Sequence, residues 1–238
     1  MKVCLISSNT AVTPYPVYPL GLSVIAQALS NAGHEVRQFD LLYQNGSIDL
    51  MAEEIRQHNP GLIGISVRNI DNANIVHEQY YIDTVKKVVE KIRGVSSAKV
   101  VLGGAGFSLI PEIILRVTGA DYGIVGEGEK VIVDFANKAS QGIYPDEPML
   151  RARPGLRGME IGSAGYDDEL MKSYLRNGNI APVQTKRGCT HKCIYCSYPL
   201  LEGAKIRQRN PGAVVDDIEI LRDRHHARYI FFCRFGIQ

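Results

Sequence analysis

Three cysteines fall within eight residues, in Lys186-Arg187-Gly188-Cys189-Thr190-His191-Lys192-Cys193-Ile194-Tyr195-Cys196, a C-x3-C-x2-C spacing. Three thiolates on one short loop can ligate three irons of a cubane [4Fe–4S] cluster. An ordinary electron-transfer cluster takes a fourth cysteine, and the two left over, Cys4 and Cys233, sit inside expected strands. A cluster held by three ligands leaves one iron open, which is what a catalytic metal centre requires. A structural zinc site built from the same cysteines and His191 competes for these donors, although it lacks the usual paired C-x2-C and distal ligand pair. Three unligated thiols are a further reading. Against it, Lys186, Arg187, His191 and Lys192 surround the motif with polar and basic groups, unlike the apolar setting of inert buried cysteines.

The elements that must position this loop are readable around it. From Lys2 to about Ala139, β-branched runs alternate with helical patterns. Strands are expected at Lys2–Ser7, Glu35–Asp40, Gly61–Ser66, Ala98–Leu102 and Asp121–Val125. Helices are expected at Leu20–Asn31, Ile48–Gln57, Glu78–Arg93, Pro111–Val117 and Glu129–Lys138. Strands each followed by a helix call for a parallel sheet with right-handed crossovers. The runs Leu62-Ile63-Gly64-Ile65 and Val100-Val101-Leu102 have the continuous apolar character of strands buried on both faces. The first fold unit, 1–140, is therefore a doubly wound α/β domain. Residues 141–178 carry Pro145, Pro148 and Pro154 with little periodicity and read as a linker, with a short helix at Asp167–Leu175. The unit 179–238 opens with a strand at Ile180–Thr185 that runs into the cysteine loop. A helix at Pro211–Arg224 and a strand at Arg228–Phe232 follow.

Composition narrows the function class. The 238 residues are 45% hydrophobic and 22% charged, with a formal charge of +2, and carry no apolar run long enough to cross a bilayer. A nucleic-acid or membrane partner is not expected from so small and unclustered a basic excess. An odd cysteine count and a strand-like N-terminus point away from a disulfide framework and a signal peptide, so a cytoplasmic protein is expected. In an open α/β sheet, ligands bind beyond the carboxyl ends of the strands. The loops there are Ser7–Leu20, Ser66–Asn74, Gly103–Ser108 and Gly126–Glu129. Gly103-Gly104-Ala105-Gly106-Phe107-Ser108 would let backbone approach a large flat cofactor, or would simply make a tight strand–helix turn.

The C-x3-C-x2-C motif with Tyr195 before its last cysteine resembles that of the radical S-adenosylmethionine (radical SAM) enzymes. Its continuation, Ser197-Tyr198-Pro199-Leu200-Leu201-Glu202-Gly203, is similar to a branch in which a cobalamin (B12)-binding domain precedes the radical SAM barrel. Pro19-Leu20-Gly21-Leu22 and Gly126-Glu127-Gly128-Glu129 resemble segments of that B12-binding domain. The resemblance covers residues 1 to about 232. It implies a flavodoxin-like doubly wound sheet followed by the first β-α-β of a partial TIM-like barrel. Three cofactors are implied: a [4Fe–4S] cluster on Cys189, Cys193 and Cys196, S-adenosylmethionine near Tyr195 and Ser197, and cobalamin. The cobalamin contacts implied are Leu20, Gly21, Ser66, Arg68, Asn69, Gly103, Gly104, Gly106, Phe107, Gly126, Glu127 and Gly128. No D-x-H-x-x-G occurs, so no histidine is expected to ligate cobalt. Arg68 is expected to face the corrin, with a surface ion pair to Asp71 as the alternative.

The activity implied is reductive cleavage of S-adenosylmethionine to a 5′-deoxyadenosyl radical, with methyl transfer to an unactivated centre as the expected outcome. Ring contraction and other rearrangements stay open. An external one-electron reductant and a small-molecule or peptide substrate are the implied partners. The sequence also departs from the family. Only the start of the barrel is present, and the ending Cys233-Arg234-Phe235-Gly236-Ile237-Gln238 stands where the family continues as Val-Asp-Ser-Val-Phe-Asn. Shifting one set of possible codons by a base restores that continuation, so residues 233–238 are expected to be out of frame and the chain truncated. A non-catalytic cobalamin- and cluster-binding module and a zinc-stabilised α/β regulator are the rival expectations.

Overall fold

The structure, a computed structural model, describes residues 1–233 apart from 14, 153, 154 and 179. Of the ending expected to be out of frame, all but Cys233 lies outside the described residues.

The chain runs β1 (Lys2–Ser7), α1 (Leu20–Asn31), β2 (Glu35–Asp40), α2 (Ile48–His58), β3 (Leu62–Ser66), α3 (Ile82–Arg93) and β4 (Lys99–Gly103). It continues through α4 (Ala105–Leu109), α5 (Pro111–Thr118), β5 (Tyr122–Val125), α6 (Glu129–Ala139) and β6 (Met149–Arg151). These strands form one parallel sheet in the order β2-β1-β3-β4-β5-β6. The first five strands thus have the flavodoxin-like order, whose switch point lies between β1 and β3.

Local chemistry sets the element ends. Ser47 accepts the Leu50 N–H at the start of α2. At the end of α1, Gly33 at φ +83° donates to the Ser30 carbonyl and His34 donates to that of Leu29. That pairing is a Schellman stop. On one face of the sheet, Ile55, Val88, Ile92 and Phe107 pack with Ile63 and Val100. On the other, Leu22, Leu29, Ile132 and Phe135 pack with Val3, Leu5 and Val101. The sheet is buried on both sides, as its continuous apolar strands require.

Three stretches differ from the sequence reading. Glu78–Tyr81 is not helical: the Asn72 and Asn74 side chains accept the N–H groups of Gln79, Val76 and His77, and a bridge joins Asp71 to Tyr80. Such Asx turns compete with the helix for the same backbone donors. The glycine loop after β4 is largely the short helix α4. The segment expected to be a linker supplies β6, which pairs with β5.

Beyond the sheet come α7 (Asp168–Gly178), β7 (Ile180–Gln184), β8 (Lys186–Arg187), α8 (Tyr198–Glu202), β9 (Arg207–Gln208), α9 (Pro211–Asp223) and β10 (Tyr229–Cys233). β7 pairs in parallel with β10, and β8 pairs with β9 in an antiparallel ribbon. The β7-α9-β10 unit is the right kind of fragment for the start of a β/α barrel. It docks on the first unit through a third apolar core. There Tyr18, Leu20 and Val24 meet Met171, Tyr174, Val183 and Leu221. Among the described residues, no helix is long and apolar enough to cross a membrane.

Candidate functional site

A cleft of about 1320 Å³, including its open mouth, lies over the carboxyl ends of β1, β3, β4 and β5. Its position is the switch point of the sheet, where α/β folds bind their ligands. The floor is apolar, with Leu5, Ile65, Val101 and Ile124; Ser7, Ser66 and Gly103 stand at the strand ends. Gly64 keeps the floor low, since a Cβ there would stand 2.7 Å from the Leu5 side chain. Gly104 is the stricter requirement. Its φ is +100°, and a Cβ would come within 2.6 Å of the Val67 carbonyl oxygen. Only glycine holds that turn without strain.

The sequence reading gathers well here. Gly21, Ser66, Arg68, Gly103, Gly104, Gly126, Glu127 and Gly128 all line the cleft. Leu20 instead enters the core between the two units. Phe107 is fully buried under the sheet, and Gly106 packs on the Arg68–Asn69 backbone; neither these nor Asn69 lines the cleft. Arg68 has no hydrogen-bond partner for its buried Nε. Burial pulls its pKa below the ordinary arginine value, while the nearby Tyr198, Tyr174, Tyr15 and Tyr81 work in the opposite direction. Its alternative partner, Asp71, accepts the Ala73 N–H at 2.7 Å and pairs with no arginine among the described residues. An arginine whose buried Nε has no partner, facing a cleft with an apolar floor, is a natural contact for a large polar-edged ligand.

The wall that sequence reasoning did not assign comes from the second unit. Arg187, Tyr198, Leu201 and Glu202 face the same cleft. Three of them lie on α8, directly after the cysteine motif, and only the resemblance of 197–203 pointed there. The loop itself is pinned at its start. Gly188 has φ +84°, with the Lys205 carbonyl 2.1 Å from any Cβ placed there. The Gly188 N–H donates to Glu202 Oε2 at 3.0 Å and the Cys189 N–H to the Gly203 carbonyl at 3.1 Å.

The five cysteines are free; Cys189 is buried, Cys196 half-buried and Cys193 exposed. Tyr195 stands out in solvent, and Ser197 is half-buried at the start of α8. Among the described residues, no three His, Cys, Asp or Glu side chains are drawn close enough to hold one metal ion. The donor chemistry nevertheless fits an iron–sulfur cluster: three free thiols on one accessible loop. Cys4 and Cys233 do not join them. Burial pushes their thiols up to about 12 and about 11, away from the thiolate that a metal needs.

Comparison with known proteins gives a consistent picture. A model of the B12 binding domain matches residues 6–136. Tryptophan 2-C-methyltransferase of Streptomyces laurentii is 26% identical over 87% of this chain and 45% of its own length. Cytidylyl-2-hydroxyethylphosphonate methyltransferase of Streptomyces wedmorensis is 24% identical over 89% of this chain and 50% of its own. Among solved structures, the radical S-adenosylmethionine methyltransferase TsrM of Kitasatospora setae, with tryptophan and a SAM analogue bound, superposes with a TM-score of 0.80 at 26% identity. It covers 97% of this chain and 47% of its own. The chain thus spans about half the length of the relatives it matches.

Proposed function

Since the chain belongs to the B12-binding-domain family, on the branch that joins this domain to a radical SAM barrel, we propose that its cleft holds cobalamin and its cysteine loop a [4Fe–4S] cluster. In the whole protein the two would serve methyl transfer from S-adenosylmethionine to an unactivated centre. The observation that carries this reading is the shared cleft. Its floor is the switch point of the B12-binding domain, and its far wall is the helix that follows C-x3-C-x2-C.

Bound together, the cluster would supply one electron to S-adenosylmethionine and cobalamin would carry the methyl group. The chain's own residues bind and orient. Gly103, Gly104 and Gly126 leave room for a flat macrocycle, and the apolar floor excludes water. Cys189, Cys193 and Cys196 would hold the cluster and leave one iron for S-adenosylmethionine, with Tyr195 and Ser197 beside it. Arg68 would present a cation to the bound cobalamin, and that charge would disfavour a protein-derived ligand on the cobalt.

The test is anaerobic reconstitution of the chain with iron, sulfide and hydroxocobalamin. The expected result is a brown protein that binds one cobalamin and loses its iron when Cys189, Cys193 and Cys196 are changed together to Ala. Bound zinc in place of iron would overturn the cluster assignment. Cobalamin and cluster without cleavage of added S-adenosylmethionine would describe a binding module rather than a catalyst. Arg68→Ala is expected to let added imidazole perturb the visible spectrum of the bound cobalamin; an unchanged spectrum removes Arg68 from that role.

A further inference from the structure

The pocket wall and the base of the cysteine loop are joined by a buried ionic network whose centre is Glu127, a residue of the β5–α6 loop. Its side chain is 8% exposed. Oε1 lies 3.3 Å from Arg187 Nη1 and 2.8 Å from Arg207 Nη2; Oε2 accepts Arg207 Nη1 at 2.8 Å and the Leu156 N–H at 2.7 Å. Both carboxylate oxygens are therefore occupied, although Glu127 lines the cleft. Arg187, 7% exposed, also donates to Gln184 Oε1 at 3.0 Å and stands 2.6 Å from Glu129 Oε1.

Two consequences follow from where these residues sit in the chain. Arg187 immediately precedes Gly188 and Cys189, so the start of the cysteine loop is tied to the β5–α6 loop by ion pairs that water scarcely reaches. Glu202, on the cleft wall, holds the Gly188 N–H and so fixes the same point from the other side. In the far part of the loop, Cys193, Ile194 and Tyr195 are exposed. A buried ion pair contributes little net stability, because desolvation offsets its attraction, but it fixes geometry and is costly to break from one side.

We propose that Glu127 is a positioning residue through which occupancy of the cobalamin cleft and ordering of the cysteine loop are energetically coupled. This rests on the functional reading given above. A ligand seated against the β5–α6 loop restricts Glu127, and through Arg187 restricts the segment from which Cys189 projects. Ordering the loop around iron restricts the cleft wall in return, since such coupling is reciprocal by thermodynamic necessity. No large movement is required; the second group to bind meets a protein already ordered by the first.

The experiment measures hydroxocobalamin affinity for the full chain, by anaerobic visible-absorbance titration, with and without the reconstituted cluster. Binding about tenfold tighter in the presence of the cluster is expected, within the usual range for coupled sites. In Glu127→Gln, which keeps the shape but removes the charge at a residue that lines the cleft, the ratio itself should fall to about twofold or less, whatever the change in either affinity alone. Arg207→Gln, at the more exposed end of the network, should lower the ratio while leaving Arg187 in place, and it decides the matter if Glu127→Gln does not fold. A merely structural role would weaken both affinities and leave the ratio unchanged. A wild-type ratio of one, or a ratio untouched by both substitutions, overturns the coupling while cobalamin still binds. A chain that binds no cobalamin overturns the functional reading, and the coupling with it.

Discussion

Two residues show at the smallest scale how this chain commits itself. Gly104 turns the backbone from β4 into α4 at a φ of +100°, pressed against the Val67 carbonyl. Gly104→Ala adds both a strained backbone and a clash with main chain, so a loss of about 1–3 kcal/mol is expected. Urea midpoints would check it, and cobalamin affinity should fall alongside because the turn forms the cleft floor. Asp121 illustrates charge rather than shape. Its carboxylate accepts the Val100 N–H at 2.7 Å, lies 2.6 Å from Arg93 Nη2 and 3.3 Å from Lys99 Nζ, and is 18% exposed. Burial works to raise its pKa, but the Val100 hydrogen bond and the two cations outweigh it, and the group titrates below its ordinary value. Its native value lies below the unfolded one, so its contribution is complete above about pH 4 and is lost as pH falls through the native value. Asp121→Asn should cost about 1–2 kcal/mol at pH 7. The gap between variant and wild type should narrow steadily below pH 4; a gap that is constant with pH would refute the assignment.

At the scale of elements, what was legible depended on whether local pattern and tertiary packing agreed. β1, with its apolar run Val3-Cys4-Leu5-Ile6, and α1, with its Schellman glycine, carry their own signals, and their bounds follow from sequence directly. α3 begins at Ile82 because Asn72 and Asn74 claim the backbone donors before it, a competition that periodicity does not register. β6 is three residues in a proline-rich stretch, and it exists because β5 offers an open edge. The cleft shows the same division. Its glycines and Arg68 lie next to strand ends and can be read from order alone. Tyr198, Leu201 and Glu202 reach it only because the second unit docks through Tyr18, Leu20 and Val24, which no local pattern announces. α4 supplies the element-scale test. Gly103 and Gly104 precede it and Gly106 lies within it, yet it anchors Phe107, fully buried in the first core with its ring against Gly123. Phe107→Ala removes that anchor and should cost about 3–5 kcal/mol. A thermal or urea unfolding curve within 1 kcal/mol of wild type would mean that α4 is held by its backbone turn instead.

For the molecule as a whole, the balance between buried and uncovered apolar surface differs sharply between the two units. The six-stranded sheet is covered on both faces. β10, in contrast, pairs only with β7 among the described residues, and Tyr229, Phe231 and Phe232 are 65%, 49% and 47% exposed. An edge strand that offers free backbone groups beside exposed aromatic rings is a template for pairing with another chain, and natural edges are usually blunted by charge or proline. Here neither is present within Tyr229–Cys233. This chain should therefore self-associate at micromolar concentrations through β10, detectable as a rise in scattering mass with concentration. Placing a charge on the strand, as Phe231→Lys together with Tyr229→Lys, should restore a monomeric mass. Because the rings are already half in water, the two substitutions should alter stability by less than about 1 kcal/mol. That pairing of outcomes separates the explanations. Loss of association with unchanged unfolding identifies β10 as the sticky edge, whereas association that survives both lysines would move it to another surface, such as the solvent-exposed Ile75 and Val76.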